Sequence, residues 1–157
     1  MFDQVNGLPV HALVLHTAVV FVPLLAVGAI VYALVTPWRP KIAWAVALLA
    51  VVAPICTLVA KLSGEKLRDR LVANGMTGNP LTVINQHMSF GTRTFWFSLA
   101  LGIVTLTTVG LTWRRSKSLP LVAQLGVAVV LIALAAISGY YVYRTGDSGA
   151  KAVWGQS

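Results

Sequence analysis

Long apolar runs separated by short clusters of charge set the rhythm of this chain. No Asp, Glu, Lys or Arg occurs in the 35 residues between Asp3 and Arg39, the 19 between Lys41 and Lys61, the 20 between Arg93 and Arg114, or the 26 between Lys117 and Arg144. A bilayer core about 30 Å thick is crossed by about 20 apolar helical residues, and a helix satisfies its own backbone hydrogen bonds in lipid. Each run therefore holds one span, expected at about 10–35, 42–60, 95–113 and 121–143. The 22 residues between Arg70 and Arg93 read differently. Their first half contains Asn74, Gly75, Thr77, Gly78, Asn79 and Pro80, which is turn chemistry that lipid does not accept.

Aromatic and proline positions sharpen these edges. Trp38, Trp44, Trp96, Trp113, Tyr140, Tyr141 and Tyr143 fall near the expected span ends, where amphipathic rings favour the headgroup zone. Pro37, Pro40 and Pro120 mark boundaries, while Pro23 and Pro54 lie inside spans and free a carbonyl each. The first span is read as a helix that stays in the protein, because no basic segment precedes it and it outruns the apolar core of a signal peptide.

The third span carries the clearest packing signal. His87, Gly91, Thr94, Ser98, Gly102 and Thr105 fall at offsets 0, 4, 7, 11, 15 and 18, one narrow stripe at about 100° per residue. Small and hydroxyl side chains let another backbone come close, so this stripe is the expected bundle face. It also implies that the helix begins near Leu81, before the span proper. Gly126, Ala133 and Ser138 with Gly139 are the expected counterparts on the fourth helix. Lys61–Leu71 reads as a separate helix lying in the interface, with Leu62, Leu67 and Leu71 towards lipid.

Composition agrees with a membrane chain: 57% hydrophobic and 10% charged residues, against about 25% charged in soluble domains. A mean hydropathy of +0.81 leaves more apolar surface than so small a core hides. One cysteine, Cys56, excludes a disulfide scaffold. The net charge of +8 is expected to anchor loops at anionic headgroups, not to bind nucleic acid. Four spans put both termini on one side. Arg39, Lys41, Arg114, Arg115 and Lys117 are concentrated in the two short connections on the other side, which points to extracytoplasmic termini.

All three histidines gather at the membrane surface that bears the termini: His11 and His16 open the first helix and His87 heads the third. Three readings stand side by side. Each imidazole can be satisfied by backbone, water or a headgroup. A haem b can lie between a first-helix histidine and His87, with Gly91 leaving room for the porphyrin and Arg93 pairing a propionate. A divalent metal would need help from Glu65, Asp69 or Asp147. His11 and His16 lie about 140° apart around a helix, so only one can face His87, and His16 is the preferred partner. No nucleophile elbow, phosphate loop, paired-carboxylate site or zinc-protease motif is present, and no span buries a charged side chain at its centre.

The opening NGLPVHALVLH (Asn6 to His16), Gly64 with Glu65, His87, and the tail GDSGAKAVW (Gly146 to Trp154) together resemble the bacterial membrane proteins catalogued as domain of unknown function 2231. The resemblance covers essentially the whole chain. It implies a four-helix membrane domain, and the occurrence of members beside Rieske-type iron–sulfur domains implies a redox or respiratory setting. Members often carry a further histidine in a tail like VYRHG, where this chain has Thr145; a ligand supplied there would be missing here. Gly146 and Gly149 around Asp147 and Ser148 suggest a tight turn, with Ala150 to Trp154 lying back on the interface.

The sequence thus predicts an all-α four-helix membrane bundle with both termini on one side. Its expected role is that of an accessory module of a respiratory, redox or envelope complex. The alternative is a haem b-binding or quinone-interacting electron-transfer protein using His11 or His16, His87 and Arg93. The expected partners are the lipid bilayer and a larger membrane complex.

Overall fold

The computed structural model describes the backbone of residues 4–5, 8–113 and 120–154, and the side chains of 14–113 and 120–151. Helices α1 (Val10–Leu34), α2 (Arg39–Ala73), α3 (Asn79–Thr112) and α4 (Leu121–Trp154) follow one another in the chain, and all four are long and apolar enough to cross a membrane. Each packs on its sequence neighbours, and α4 closes the ring against α1. At the N-terminus a two-residue ladder sets Gln4–Val5 against Leu8–Pro9.

The apolar stripes determine which faces turn inward. Val22, Leu25, Ala29, Ala53, Leu101, Leu131 and Ala135 form the centre of the core, and their 3–4-residue spacing places each set on one side of its helix. Trp38, Trp44, Trp96, Trp113, Tyr140 and Tyr143 are exposed, in keeping with rings at the headgroup level. Along α3, Thr94, Ser98, Gly102 and Thr105 are buried as the stripe predicts. Their partners differ from expectation. Ala128, Leu131, Ala135, Ser138 and Val142 are the inward positions of α4, whereas Gly126 and Ala133 fall between them and are exposed.

Gly102 shows why a glycine is needed at its crossing. A Cβ there would lie 2.5 Å from the carbonyl oxygen of Ala50 and 3.0 Å from Cγ of Pro54. Ala50 is four residues before Pro54, so its carbonyl is the one that the missing proline N–H leaves without a helical partner. The α3 backbone covers that oxygen. Nearby, Thr57 and Ser98 hydroxyls meet at 2.9 Å across the same two helices.

At the opposite end from the termini, Arg39 is buried although it is charged. Its Nε donates to Tyr32 O at 2.8 Å and its Nη2 to Ala33 O at 2.9 Å, so it caps the last turn of α1 while its guanidinium lies 5.5 Å from the Tyr32 ring centroid. Arg39 thus does more than mark the membrane edge.

Three expectations are corrected at the other end. Lys61–Leu71 is no separate interfacial helix but the continuation of α2, which runs unbroken to Ala73. No proline occurs between Lys61 and Ala73, and Lys61 Nζ pairs with Glu65 Oε1 at 2.6 Å one turn on. The connection to α3 shrinks to residues 74–78, where Gly75 and Gly78 take positive φ of 89° and 73°. Finally, the expected turn at Gly146–Gly149 is helical, and α4 continues to Trp154. An Asp147–Lys151 ion pair at 2.8 Å follows the helical i,i+4 spacing, and Ser148 Oγ donates back to Thr145 O at 3.1 Å.

Candidate functional site

The extension of α2, α3 and α4 past the apolar spans builds a site from all four helices. Leu15, Ala18 and Val19 of α1, Thr57 to Gly64 of α2, His87 to Thr94 of α3, and Val142 and Thr145 of α4 surround a cleft. Counting the part open to the outside, it encloses about 560 Å³. Its lining is mostly apolar, with a few polar groups converging on it: Thr57, Lys61, His87, Thr92, Thr94 and Thr145. Gly64 of α2 lies nine residues before the end of that helix, so the cleft sits about 14 Å inside the tip of the α2–α3 hairpin. That is the level where the apolar stretch of α2 gives way to charge.

His87 is the chemical centre of this cleft. It reaches it because α3 starts at Asn79, well before the apolar span. Its Nδ1 lies 3.0 Å from Ser148 Oγ on α4. The ring rests on Gly149, where a Cβ would stand 3.1 Å from Cε1 and 3.4 Å from Nδ1. The tail glycine therefore serves a close approach between helices, not a turn. Ser148 is buried and sends its hydroxyl proton to Thr145 O.

Two hydroxyl pairs line the wall between helices. Thr94 and Thr145 meet at 2.9 Å, Thr57 and Ser98 likewise. Thr94 also faces Phe90 O, and Thr145 faces Tyr141 O at 2.7 Å. Gly91 lines the cleft with nothing within 4 Å of where its Cβ would be, which is the space the sequence pattern promised beside His87.

The other expected site residues are placed elsewhere. His16 is exposed on α1 and does not line the cleft. Arg93 is exposed on α3, its Cζ 5.8 Å from the Tyr141 ring centroid. The side chain of His11 lies outside the described residues. Of the acids considered for a metal, Glu65 pairs with Lys61, Asp69 with Arg68 and Asp147 with Lys151. Among the described residues no three His, Cys, Asp or Glu side chains are arranged to hold a metal.

The comparison with known families decides what kind of chain this is. The sequence profile of a family described as predicted membrane protein (DUF2231) matches residues 7–157. The chain belongs to the DUF2231 family. The match takes in every helix of the bundle and each described wall of the cleft. No curated protein and no solved structure matches the chain significantly.

Sequence reasoning found His87 and Gly91 but missed Thr57, Lys61, Thr145, Ser148 and Gly149. The signal for the last three was present. Val142, Thr145 and Gly149 recur at intervals of three and four, a helical stripe that becomes visible once the tail is read as helix.

Proposed function

We propose that this DUF2231 protein is a membrane module of a larger redox or envelope complex, and that it works by holding a lipid-soluble amphipathic cofactor of the quinone class. The observation that carries this reading is the cleft at one end of the apolar spans, apolar over most of its wall, with an imidazole and an ammonium converging on it. A concave, mostly apolar lining with a few converging polar groups is the usual form of a small-molecule site. Its level near the membrane surface suits a head group that meets water and a tail that stays in lipid.

Saturable binding of ubiquinone-1 or ubiquinol-1 to the detergent-purified protein, followed by quenching of intrinsic fluorescence, tests the proposal. Gly91→Leu is the control, since Gly91 lines the cleft and a Cβ there meets no atom within 4 Å, so a larger side chain is expected to occupy cleft space. Binding that is saturable in the wild type and weakened tenfold or more in Gly91→Leu is expected. Quenching that never saturates, or that is unchanged in the variant, removes the cleft as the site.

A second reading keeps the haem b expected from the histidines. Its support is the His87 ring, whose Nδ1 meets Ser148 Oγ at 3.0 Å, the kind of second hydrogen bond that orients a ligating imidazole. Haem would supply one-electron chemistry at that level of the membrane. A dithionite-reduced spectrum with sharp α and Soret bands that vanish in His87→Ala supports it; a featureless visible spectrum from protein made with ample haem excludes it.

A further inference from the structure

The basic side chains at the cleft end of the bundle fall into two kinds. Lys61, Arg68 and Lys151 are each paired with a carboxylate, that of Glu65, Asp69 and Asp147 in turn. Arg93 and Arg144 have no carboxylate partner among the described residues and rest on aromatic rings instead. Each reaches across the seam between α3 and α4: Arg93 Cζ lies 5.8 Å from the ring centroid of Tyr141, and Arg144 Cζ lies 4.7 Å from that of Phe90. Arg144 is also 5.9 Å from the ring of Tyr140, which meets the Tyr141 ring edge to face at 5.2 Å. The nearest acid along α4, Asp147, is held by Lys151 at 2.8 Å.

The sequence fixes the level of these two cations in the membrane. Arg93 is the last charged residue before the apolar run of α3, and Arg144 is the first after the apolar run of α4. Their chain neighbours Thr94 and Thr145 touch at 2.9 Å, so both charges stand at the same membrane edge. Neither lines the cleft.

A guanidinium stacked on a ring is held by its face and keeps its N–H donors in its plane. Arg144 commits one of them, from Nη1 to the Tyr140 hydroxyl at 3.3 Å. Two such forks, pre-ordered by aromatic rings and without a carboxylate, match the oxygens of a phosphate. Towards the membrane centre the same seam is apolar. Phe97 stacks on Tyr141 at 5.2 Å, and Ile137 is exposed one turn before Tyr141.

We propose that this seam is a binding site for an anionic phospholipid, with Arg93 and Arg144 on the phosphate and an acyl chain along Phe97 and Ile137. Charge selects among lipids. A zwitterionic head group brings its own ammonium to two guanidiniums, whereas phosphatidylglycerol brings only the negative charge. One basic side chain facing anionic lipid corresponds to about a fivefold difference in affinity. The site is separate from the cleft and does not depend on what the cleft holds.

Native mass spectrometry of the detergent-purified protein, titrated with dioleoylphosphatidylglycerol and dioleoylphosphatidylethanolamine, tests the proposal. Wild type is expected to bind the anionic lipid about fivefold or more tightly. Arg93→Gln and Arg144→Gln should each weaken it about fivefold, while Lys66→Gln, which removes an exposed cation of α2, should not. Hydrogen–deuterium exchange of the wild type needs no variant: phosphatidylglycerol should protect peptides around Phe90–Phe97 and Ile137–Thr145 more than phosphatidylethanolamine does. Equal affinity for the two lipids, or equal losses in all three variants, overturns the proposal in favour of diffuse surface charge. Protection elsewhere in the chain overturns the placement at the seam. Displacement of the lipid by millimolar inorganic phosphate overturns the lipid as occupant and leaves a site for the free anion.

Discussion

Glycines carry much of the residue-scale information in this bundle, because their environments differ so sharply. At Gly102 a methyl group would meet the Ala50 carbonyl at 2.5 Å, a backbone atom that cannot rotate away. Gly102→Ala must push α2 and α3 apart and is expected to cost about 1–3 kcal/mol, read as a lowered midpoint of thermal or dodecyl-sulfate unfolding. Gly126→Ala meets open space and should not lower that midpoint. The sequence pattern singled out both glycines as packing positions, but only one is. Spacing identified the α3 stripe because its small and hydroxyl residues contrast with their apolar neighbours. On α4 nearly every residue is apolar or small, so composition gave no contrast from which to choose the inward face. His87 was legible as the head of that stripe; its dependence on Ser148 was not, since a contact across 61 residues of chain leaves no local pattern.

Elements were read correctly where lipid dictates them and less well where they leave it. Hydropathy located four spans because an apolar run has no other stable solution in a bilayer. Beyond the membrane, charge and glycine were taken as signs of loop and turn, although a helix already nucleated continues at little cost. That is how α2 reaches Ala73 and α4 reaches Trp154. The tail offers a direct check. In a helix with open space at its Cβ, Gly146→Ala should stabilise by about 0.5–1 kcal/mol, whereas in a tight turn needing positive φ it would destabilise. Far-ultraviolet circular dichroism during heating distinguishes the two. Gly149→Ala is expected to behave otherwise, displacing the His87 ring and weakening ligand binding several-fold while helicity stays unchanged.

For the whole molecule, the alternation of four helices puts the cleft, both termini and the α2–α3 turn at one membrane surface. The concentration of Arg39, Lys41, Arg114, Arg115 and Lys117 in the opposite connections predicts that the termini lie on the extracytoplasmic side. A cysteine introduced by Ser157→Cys, in a chain whose Cys56 is replaced by Ala, should react with an impermeant maleimide added to intact cells. Labelling only after the cytoplasmic face is opened would reverse the orientation, and with it the leaflet from which a ligand enters.

The ring of four helices also orders how the protein is made. Contacts between α1 and α2, α2 and α3, and α3 and α4 join segments that leave the ribosome consecutively, whereas α1 meets α4 only once the last span has arrived. Since the cleft takes one wall from each helix, three inserted spans form a groove without a binding site. A chain arrested before Val142 lacks the α4 wall, so under the quinone-class proposal ligand capture is expected only after the last span has packed.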